Sequence, residues 1–518
     1  MKVRSRAAAV LCAVAVLALV LSSCSGGKSA NDLGPVGDPQ HGGTFTVAYN
    51  TDAQSVDPVT CQTGIGIGPC QAIYGALLYY DVDSAEIIPG MAESFDSADG
   101  KLWTLKLRPD VTFTDGTPFN AEAVAFNWNR ILDPALLSSS MAAAKSITWD
   151  VVDETTMMVT SNDVNHQLPF LLTEALAFVA SPTAIVQRGA DFGNSPVGAG
   201  PFVFNSWARG TEMVLDRNPG YWDQPRPYVD RLVMKTIPAD DQRFNAVQAG
   251  ELDLNVTVGE KYAARAESAN LNVVQWKQLG GNGVTLNSRG TLADPDLRTA
   301  IGKLIDGNQI VAAAFPDDEP STHFISDEDS PLYDEKATWP EKDVAGAQAL
   351  VDGYRARNGG NVVSLSYVTT AGSPTLNSVA EVVQSQLEQV DGLKVAIRPV
   401  DGAGYATAQS SGDFDMIING IGGLHPDNLY KSFHTTGSYN NAKYSNPVVD
   451  EALDLTHTSD DPAVVNEAYK TVIREIIDTT AYRWWRPSLT SVISPASVHG
   501  VKPAYAYWFR SDLVWNQQ

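Results

Sequence analysis

The chain has 518 residues, of which 44% are hydrophobic and 19% are charged. This composition is ordinary for a globular protein, and the length suffices for two or three lobes, because single hydrophobic cores stop growing at about 250–300 residues. With 60 acidic against 36 basic residues the formal net charge is −24, which repels polyphosphate and argues against DNA or RNA as a partner.

The first 23 residues have the features of a signal peptide. Lys2, Arg4 and Arg6 precede an uncharged and mostly apolar run from Ala7 to Leu21, which is the order typical of secretory signals. A transmembrane helix is the alternative, but the run is shorter than the ~20 residues that a spanning helix needs.

The end of this run resembles the bacterial lipobox, because Leu21 stands three residues before Cys24. The resemblance implies that Cys24 takes a diacylglyceryl thioether and becomes the mature N-terminus of a palmitate-type lipoprotein. Two acyl chains are the condition for stable anchoring. Residues 24–41 are polar and rich in Gly, Ser and Pro, which predicts a flexible tether. We therefore expect the protein at the outer face of the bacterial cytoplasmic membrane.

Cys61 and Cys70 bracket the Gly-rich segment CQTGIGIGPC. Outside the membrane, a cysteine pair that closes so short a loop is typical of a disulfide. A metal-binding pair is the alternative, although no His, Asp or Glu lies within the loop to complete such a site.

The pattern from residue 42 onwards is mixed α/β. Thr44–Tyr49 alternates as a strand does, and a second alternating strand at 102–107 is predicted to turn at 108–110 and pair with Val111–Phe113 as a hairpin. Asn120 then precedes an apolar periodic segment and is predicted to be the N-cap of a helix.

The remainder of the chain alternates between helices and short strands. The strand and helix alternation after residue 360 predicts βαβ units and a largely parallel sheet. Helices are predicted near 243–250, 295–304, 344–354, 376–389 and 462–477, and strands at 362–367, 393–400 and 414–419.

Several blocks together resemble the extracellular solute-binding proteins of family 5, the dipeptide- and oligopeptide-binding components of ABC importers. They read GGTFTVAYNTDAQSVDP, IYGALLYYD with IIPGMAESF, DGKLWTLKLRPDVTFTDGTPFNAEAVAFNWNRIL, SPVGAGPFVFNSWARGTEMVLDRNPGYWD, AVQAGELDL and YSNPVVDEALD. Their order and spacing follow the family.

The resemblance implies the two-lobed periplasmic-binding-protein fold of type II, cluster C, with ligand enclosed by hinge closure. The chain is expected to cross between lobes near 283–288 and to return near 482–487. The implied division is 1–23 for the signal peptide, 24–41 for the tether, 42–80 for the first part of lobe I, 81–184 for an extra subdomain of lobe I, 185–284 for the second part of lobe I, 285–482 for lobe II and 483–518 for the C-terminal part of lobe I.

The returning segment contains Trp484, Trp485 and Arg486, where peptide binders of this family place an aromatic residue against the ligand. Aromatic faces with guanidinium groups suit a ligand that has an apolar body and an anionic or carbonyl group. Alternatively, one tryptophan faces the core and the arginines face acidic surface.

Relatives also offer an extended strand after the SVDP block, which implies main-chain pairing of the ligand with Gln62, Thr63 and Gly64. The alternative is a stapled surface loop that makes no ligand contact.

The third candidate segment is DFDMIINGIGGLHPDNLYKSF. Peptide binders of the family carry an aspartate shortly before the equivalent proline, and it pairs with the free α-amino group of the peptide. Here residues 418–425, directly before Pro426, contain no acid, and Asp427 after it is a poor substitute. Either the amino group is held elsewhere or the ligand has none. The ligand-contacting residues expected here are Asn419, Gly420, Gly422 and His425.

Some relatives bind nickel chelates or haem, so His425 and His434 raise a metal hypothesis. Two histidines without clustered Cys, Asp or Glu are a weak signal, and ordinary surface or turn histidines are more common. We expect no metal site and no cofactor. PVGAGPF at 196–202 lacks the Lys-Ser/Thr ending of a Walker loop.

Three functions follow, in decreasing order of support. The first is a monomeric, lipid-anchored receptor that captures short peptides or peptide-like solutes and delivers them to the transmembrane subunits of an ABC permease. Modified peptides, oligosaccharides and metal or haem complexes compete as ligands. The second is an envelope scaffold that has lost transport. An enzyme is third, because no Gly-x-Ser-x-Gly, His-Glu-x-x-His or comparable constellation is present.

Overall fold

The computed structural model describes residues 37–61 and 66–517. Helices and strands alternate along this part of the chain, and short 3₁₀ turns occur at Pro134–Leu136, Leu168–Leu172, Gly189–Asn194 and Gly290–Ala293. The strands are β1 (Thr44–Tyr49), β2 (Leu78–Asp81), β3 (Glu86–Pro89), β4 (Ala92–Ser97), β5 (Leu102–Leu107), β6 (Ile147–Asp153), β7 (Thr156–Ser161), β8 (Phe202–Ala208), β9 (Glu212–Arg217), β10 (Arg231–Thr236), β11 (Leu254–Val258), β12 (Asn272–Leu286), β13 (Val363–Thr370), β14 (Leu393–Val400), β15 (Met416–Gly420), β16 (Tyr482–Ser494), β17 (Val498–His499), β18 (Pro503–Tyr505), β19 (Trp508–Phe509) and β20 (Trp515–Asn516). The helices are α1 (Ile67–Tyr74), α2 (Ala121–Ile131), α3 (Met141–Lys145), α4 (Pro182–Arg188), α5 (Asp240–Gln248), α6 (Ala263–Ser268), α7 (Pro295–Leu304), α8 (Gly307–Ala314), α9 (Val344–Arg357), α10 (Pro374–Leu387), α11 (Gly402–Ser411), α12 (Asn428–Phe433), α13 (Pro447–Thr458) and α14 (Pro462–Asp478).

Local sequence signals explain several of these elements. The Asn120 side chain accepts a hydrogen bond from Ala123 N at the start of α2, so the predicted N-cap is confirmed. In α14, Asp461 caps the helix and Pro462 occupies its first turn. Tyr469, Val472, Ile473 and Ile476 are buried along one face of this helix, as the 3.6-residue period requires.

The hairpin predicted between 102–107 and Val111–Phe113 is wrong. β5 pairs instead with β4 and with β7, which begins about fifty residues later. Asp110 has a positive φ of 60° and turns the chain away from β5. Residues 111–119 then fold back on themselves around Gly116, where Phe113 N donates to Thr117 O. The Asp-Gly turn therefore closes a smaller hairpin than the sequence suggested.

A ten-stranded sheet, ordered β14-β13-β15-β12-β16-β11-β1-β10-β9-β8, runs through the molecule. β13 pairs in parallel with β14 and β15, which confirms the parallel arrangement predicted after residue 360. A separate four-stranded sheet has the order β4-β5-β7-β6.

β12 and β16 pass between the two lobes of the fold. Residues 272–277 of β12 pair with residues 489–494 of β16. Residues 281–285 of β12 pair with residues 482–487 of β16, and the register shifts between these two parts. β16 also pairs with β11 on one side, and β12 with β15 on the other. A Cβ atom at Gly283 would lie 2.2 Å from Arg483 O, so the close approach of the two strands requires glycine there.

Buried side chains form separate cores on the two sides of these strands. Phe45, Tyr74 and Trp128 belong to the core of the first lobe. The second lobe has two main cores, of which one is built around Val284 and Trp485 and the other around Trp484. The exact residues at which the lobes and the extra subdomain divide stay a prediction.

Candidate functional site

The segment that follows β15 lies at the junction of the lobes. Leu279 N donates to Gly423 O at 2.8 Å, and Gly423 N donates to Gln278 Oε1 at 3.2 Å. Gln278 also donates to Ala506 O and Thr490 Oγ1. The glycine-rich loop is thus fixed to the crossing strands.

His425 lies at the contact between the lobes. Its ring packs edge-to-face on Tyr80 at 5.3 Å and stacks on Phe170, both from the first lobe. Asp427 N donates to His425 Nδ1 at 3.1 Å, so the ring proton is on Nε2. Desolvation by these neighbours holds the pKa of His425 well below its ordinary value, and the ring is neutral at physiological pH.

Asp427 is buried and paired, so it is not available in this conformation to a ligand. His457 Nε2 donates to Asp427 Oδ1 at 2.6 Å. Burial by itself would raise the pKa of Asp427, but the charge and hydrogen bond of His457, with Lys431, outweigh it and lower the pKa to about 2. The carboxylate is therefore ionised throughout the physiological range.

Backbone groups of α13 join the same contact. His166 N donates to His457 O at 2.7 Å, and Gln167 Nε2 donates to Thr456 O at 3.1 Å. These contacts connect the first lobe to α13, whose His457 is hydrogen-bonded to Asp427. We call the whole set the lobe clasp; it comprises Tyr80, His166, Gln167, Phe170, His425, Asp427, Thr456 and His457.

The Asp427–His457 pair predicts acid sensitivity. Because the pKa of Asp427 is lowered from 3.8 to about 2, the pair contributes fully above about pH 4 and its contribution is lost as the pH falls through about 2. The corresponding loss in the free energy of unfolding is roughly 2–3 kcal/mol. Urea unfolding at a series of pH values measures it.

Two variants distinguish the contribution of the Asp427–His457 pair to acid sensitivity from that of the other carboxylates. The free energy of unfolding of Asp427→Asn is expected to fall less at acid pH than that of the unsubstituted protein, since the asparagine side chain does not titrate. This acid part of the curve of unfolding free energy against pH is called the acid limb. Asp460→Asn removes an exposed aspartate beyond the end of α13 and is expected to leave the limb unchanged. Identical acid limbs for Asp427→Asn and the unsubstituted protein would contradict the assignment.

A cavity of about 300 Å³ lies beside β15 in the second lobe. We call it the β15 pocket. It brings together three of the residues predicted to bind ligand, Asn419, Gly420 and Gly422, with residues from α11, α12 and the 439–444 loop. It is lined by Thr285, Gln409, Phe414, Ile417, Asn419, Gly420, Ile421, Gly422, Asn428, Ser432, Phe433, Tyr439, Asn440, Asn441, Ala442, Tyr444, Ala481 and Tyr482.

A second cavity, of about 450 Å³, lies between the lobes and includes His425 in its lining. First-lobe residues 82–85 face second-lobe residues 325–332 across it, and Lys277 of β12 lines it between them. Lys277 Nζ lies 3.5 Å from Asp327 Oδ1. Among the described residues that were predicted to contact ligand, His425 is the one that lines this inter-lobe cavity.

The two tryptophans of the returning strand are buried in different cores of the second lobe. Trp484 is 0% exposed and packs against Phe324 and Trp339. Trp485 is 1% exposed and belongs to the core around Val284. In this conformation both indoles pack against protein, and a contact between either one and ligand stays a prediction.

Arg486 pairs with Asp318, and its guanidinium lies over the ring of Phe315 at 3.9 Å. Asp318 Oδ1 also accepts a hydrogen bond from Glu260 N at 2.7 Å. The arginine thus links β16 to the segment after α8 and to the segment after β11, and its role toward ligand likewise stays a prediction.

Gln62, Thr63 and Gly64 lie outside the described residues, as does Cys24. The Cα atoms of Cys61 and Cys70, which flank the first three, lie 6.5 Å apart. Cys61 N donates to Asp57 O, and the Asp57 carboxylate pairs with Arg130 at 2.8 Å. Cys61 is therefore held in place by Asp57, which Arg130 in turn holds.

His434 is held by protein contacts. Its Nδ1 lies 2.8 Å from Thr436 Oγ1, and its ring stacks on Tyr430. Across residues 37–61 and 66–517, no three His, Cys, Asp or Glu side chains are grouped as metal ligands would be.

Sequence reasoning missed several residues of the site. Phe170 and His457 in the lobe clasp carry no motif, and they meet His425 and Asp427 only through folding. Gln409 and Tyr439 in the β15 pocket were also missed. The exposed aromatic at 439, in a polar loop that follows the candidate segment, was the available signal.

The class of protein follows from this geometry. Two lobes, each with its own core, are joined by two crossing strands, and ligand-sized cavities lie at and beside the junction. That is the architecture of a two-lobed solute-binding protein. In the described part of the chain, no helix combines the length and the apolar character that crossing a membrane requires.

Comparison with known proteins identifies the family. The profile described as "Bacterial extracellular solute-binding proteins, family 5 Middle" matches residues 86–443, and the chain belongs to this family. The glutathione-binding protein GsiB of Pectobacterium atrosepticum is 27% identical over 458 residues, which cover 82% of this chain and 84% of that protein.

Solved structures share the fold. The oligopeptide-binding protein AppA of Bacillus subtilis, in complex with a nonapeptide, has a TM-score of 0.77 at 19% identity and covers 93% of this chain and 100% of its own. AgaA from A. tumefaciens R10, in complex with agropinic acid, has a TM-score of 0.79 at 23% identity, with coverage of 92% and 99%. The family match makes the protein a bacterial extracellular solute-binding protein, which is a class of binding proteins and not of enzymes.

Proposed function

We propose that the protein captures a short peptide or a peptide-like solute between its lobes and delivers it to the transmembrane subunits of an ABC permease. The cavity of about 450 Å³ between the lobes is the observation that carries the proposal, because residues of both lobes line it and the β15 pocket lies beside β15 in the second lobe. GsiB binds glutathione by its name, and AppA was solved with a nonapeptide, so peptidic ligands support the same conclusion.

One observation favours a different solute within the same function. No acidic side chain lines the β15 pocket, and Asp427 is already paired with His457. A buried ammonium group needs a carboxylate or several acceptors. A non-peptide solute, as AgaA binds, is therefore the second candidate.

Native mass spectrometry of the purified protein tests the proposal. We expect a co-purified solute that is released on denaturation, and a ladder of peptide masses would support peptide capture. A single non-peptide mass would favour the second candidate. A protein that carries no solute and binds none from peptide and sugar libraries would count against capture and favour the scaffold.

The proposal includes attachment of the protein through a lipid on Cys24. Cys24→Ala is expected to move most of the protein from the membrane fraction into the medium, because loss of the acyl chains removes about 0.8 kcal/mol of membrane affinity per buried CH₂. Immunoblots of both fractions measure this, with Cys24→Ser as a second variant. Retention of both variants in the membrane would contradict the anchor.

We further propose a disulfide between Cys61 and Cys70 in the exported protein, a monomeric state and the lobe boundaries given above. The position of the two sulfur atoms supports the disulfide, as does the oxidising compartment expected for an exported chain.

A further inference from the structure

The β15 pocket has no charged side chain in its lining. This is unusual for a chain in which 19% of the residues are charged. A charged group that entered the pocket would lose hydration without gaining a countercharge. The lining therefore disfavours both ammonium and carboxylate groups.

The pocket nevertheless offers unused hydrogen-bonding groups. Within the described part of the chain, the side chains of Gln409, Ser432 and Asn441 make no hydrogen bond to another described residue. Carboxamides and hydroxyls both donate and accept. By contrast, Asn440 is satisfied by His434 O and by the backbone of Tyr444.

An aromatic ring accompanies these groups. Tyr439 lines the pocket and is 55% exposed, one of the most exposed large apolar side chains among the described residues. Its backbone is fixed, since Tyr439 N donates to Lys431 O at 2.8 Å. A tyrosine ring presents an apolar face beside a polar hydroxyl, which suits a ligand with an aliphatic face and polar edges.

We propose that the β15 pocket binds an uncharged part of the solute that is rich in hydrogen-bond donors and acceptors, and that it rejects charged groups. A sugar ring and an uncharged peptide side chain such as that of glutamine share this chemistry. The inference rests on the proposed function, since it names the class of solute that the same protein captures.

Isothermal titration calorimetry on the full-length protein in detergent tests this. The probes are the tripeptides Ala-Gln-Ala, Ala-Glu-Ala and Ala-Lys-Ala and the neutral sugar maltotriose. We expect an uncharged probe to bind about tenfold or more tightly than either charged tripeptide. Tighter binding of Ala-Gln-Ala would indicate that the uncharged group belongs to a peptide. Tighter binding of maltotriose would indicate that it belongs to a sugar.

Two matched variants test whether the preference for uncharged probes arises in the β15 pocket. Gln409→Glu introduces a carboxylate into the lining and is expected to weaken the tightest uncharged probe by about tenfold. Ser410→Glu adds the same charge at the neighbouring exposed position, which is outside the lining, and is expected to change affinity by less than about twofold.

Tighter binding of a charged tripeptide, equal effects of the two variants, or binding of none of the four probes would overturn the inference. Its failure is distinguishable from failure of the proposed function. A charged solute released in native mass spectrometry would remove the inference and leave solute capture intact, whereas a protein that never carries a solute would count against capture.

Discussion

Trp484→Ala is expected to lower the free energy of unfolding by about 3–5 kcal/mol, the usual cost of truncating a buried tryptophan. Trp484 is 0% exposed, and its ring centroid lies 3.9 Å from that of Phe324 and 5.0 Å from that of Trp339. Removal of the indole leaves a cavity that these rings cannot fill. Urea unfolding followed by circular dichroism measures the loss.

A graded control and a matched control sharpen the test. Trp484→Phe keeps an aromatic ring and is expected to cost less than the alanine variant. Trp207→Ala removes a half-buried tryptophan of the first lobe, which should cost less still. If Trp484→Ala kept full stability and lost affinity for the co-purified solute, a ligand-contacting role for Trp484 would be favoured instead.

Asp512→Ala is expected to be comparably destabilising, by about 3–5 kcal/mol, because it leaves Arg510 buried without its partner. Arg510 donates from Nε and Nη2 to both carboxylate oxygens of Asp512, at 2.8 and 2.6 Å. The Asp512 side chain is 0% exposed. Burial alone would raise the pKa of Asp512, but Arg510 outweighs it and the pKa is lowered.

The double variant Arg510→Met/Asp512→Leu provides the control for this second prediction. It removes both charges together, so the desolvation cost disappears along with the attraction, and most of the stability is expected to return. Thermal unfolding of the single and double variants compares them. A double variant as unstable as Asp512→Ala would show that the loss arises from packing and not from the unpaired charge.

Local signals allowed good prediction of individual elements. The Asn120 cap and the helix at 462–478 depend on residues within one or two turns, so the sequence contains the complete information. The hairpin at 102–113 was wrong because the partners of β5 are β4 and β7, and no local pattern identifies β7, which lies about fifty residues further along the chain. Strand pairing is decided by packing between distant segments.

The candidate site was predictable only in part. The pattern around β15 indicated a binding segment, and three of its residues line the β15 pocket. The sequence could not show that consecutive tryptophans of β16 enter opposite cores, although side chains alternate across a strand. Nor could it show that Asp427 is paired with His457 rather than open to ligand.

The sequence by itself determined the family, the alternation of helices and strands after residue 360, and the absence of an acid from residues 418–425. These depend on motifs and periodicities that lie within short windows of the chain. Only the tertiary structure decided which groups meet between the lobes, because His166 and His457 are far apart in the sequence and come into contact through packing of the two lobes. It also decided that the β15 pocket is uncharged, since its lining comes from five separate stretches between Thr285 and Tyr482, and their side-chain directions depend on packing.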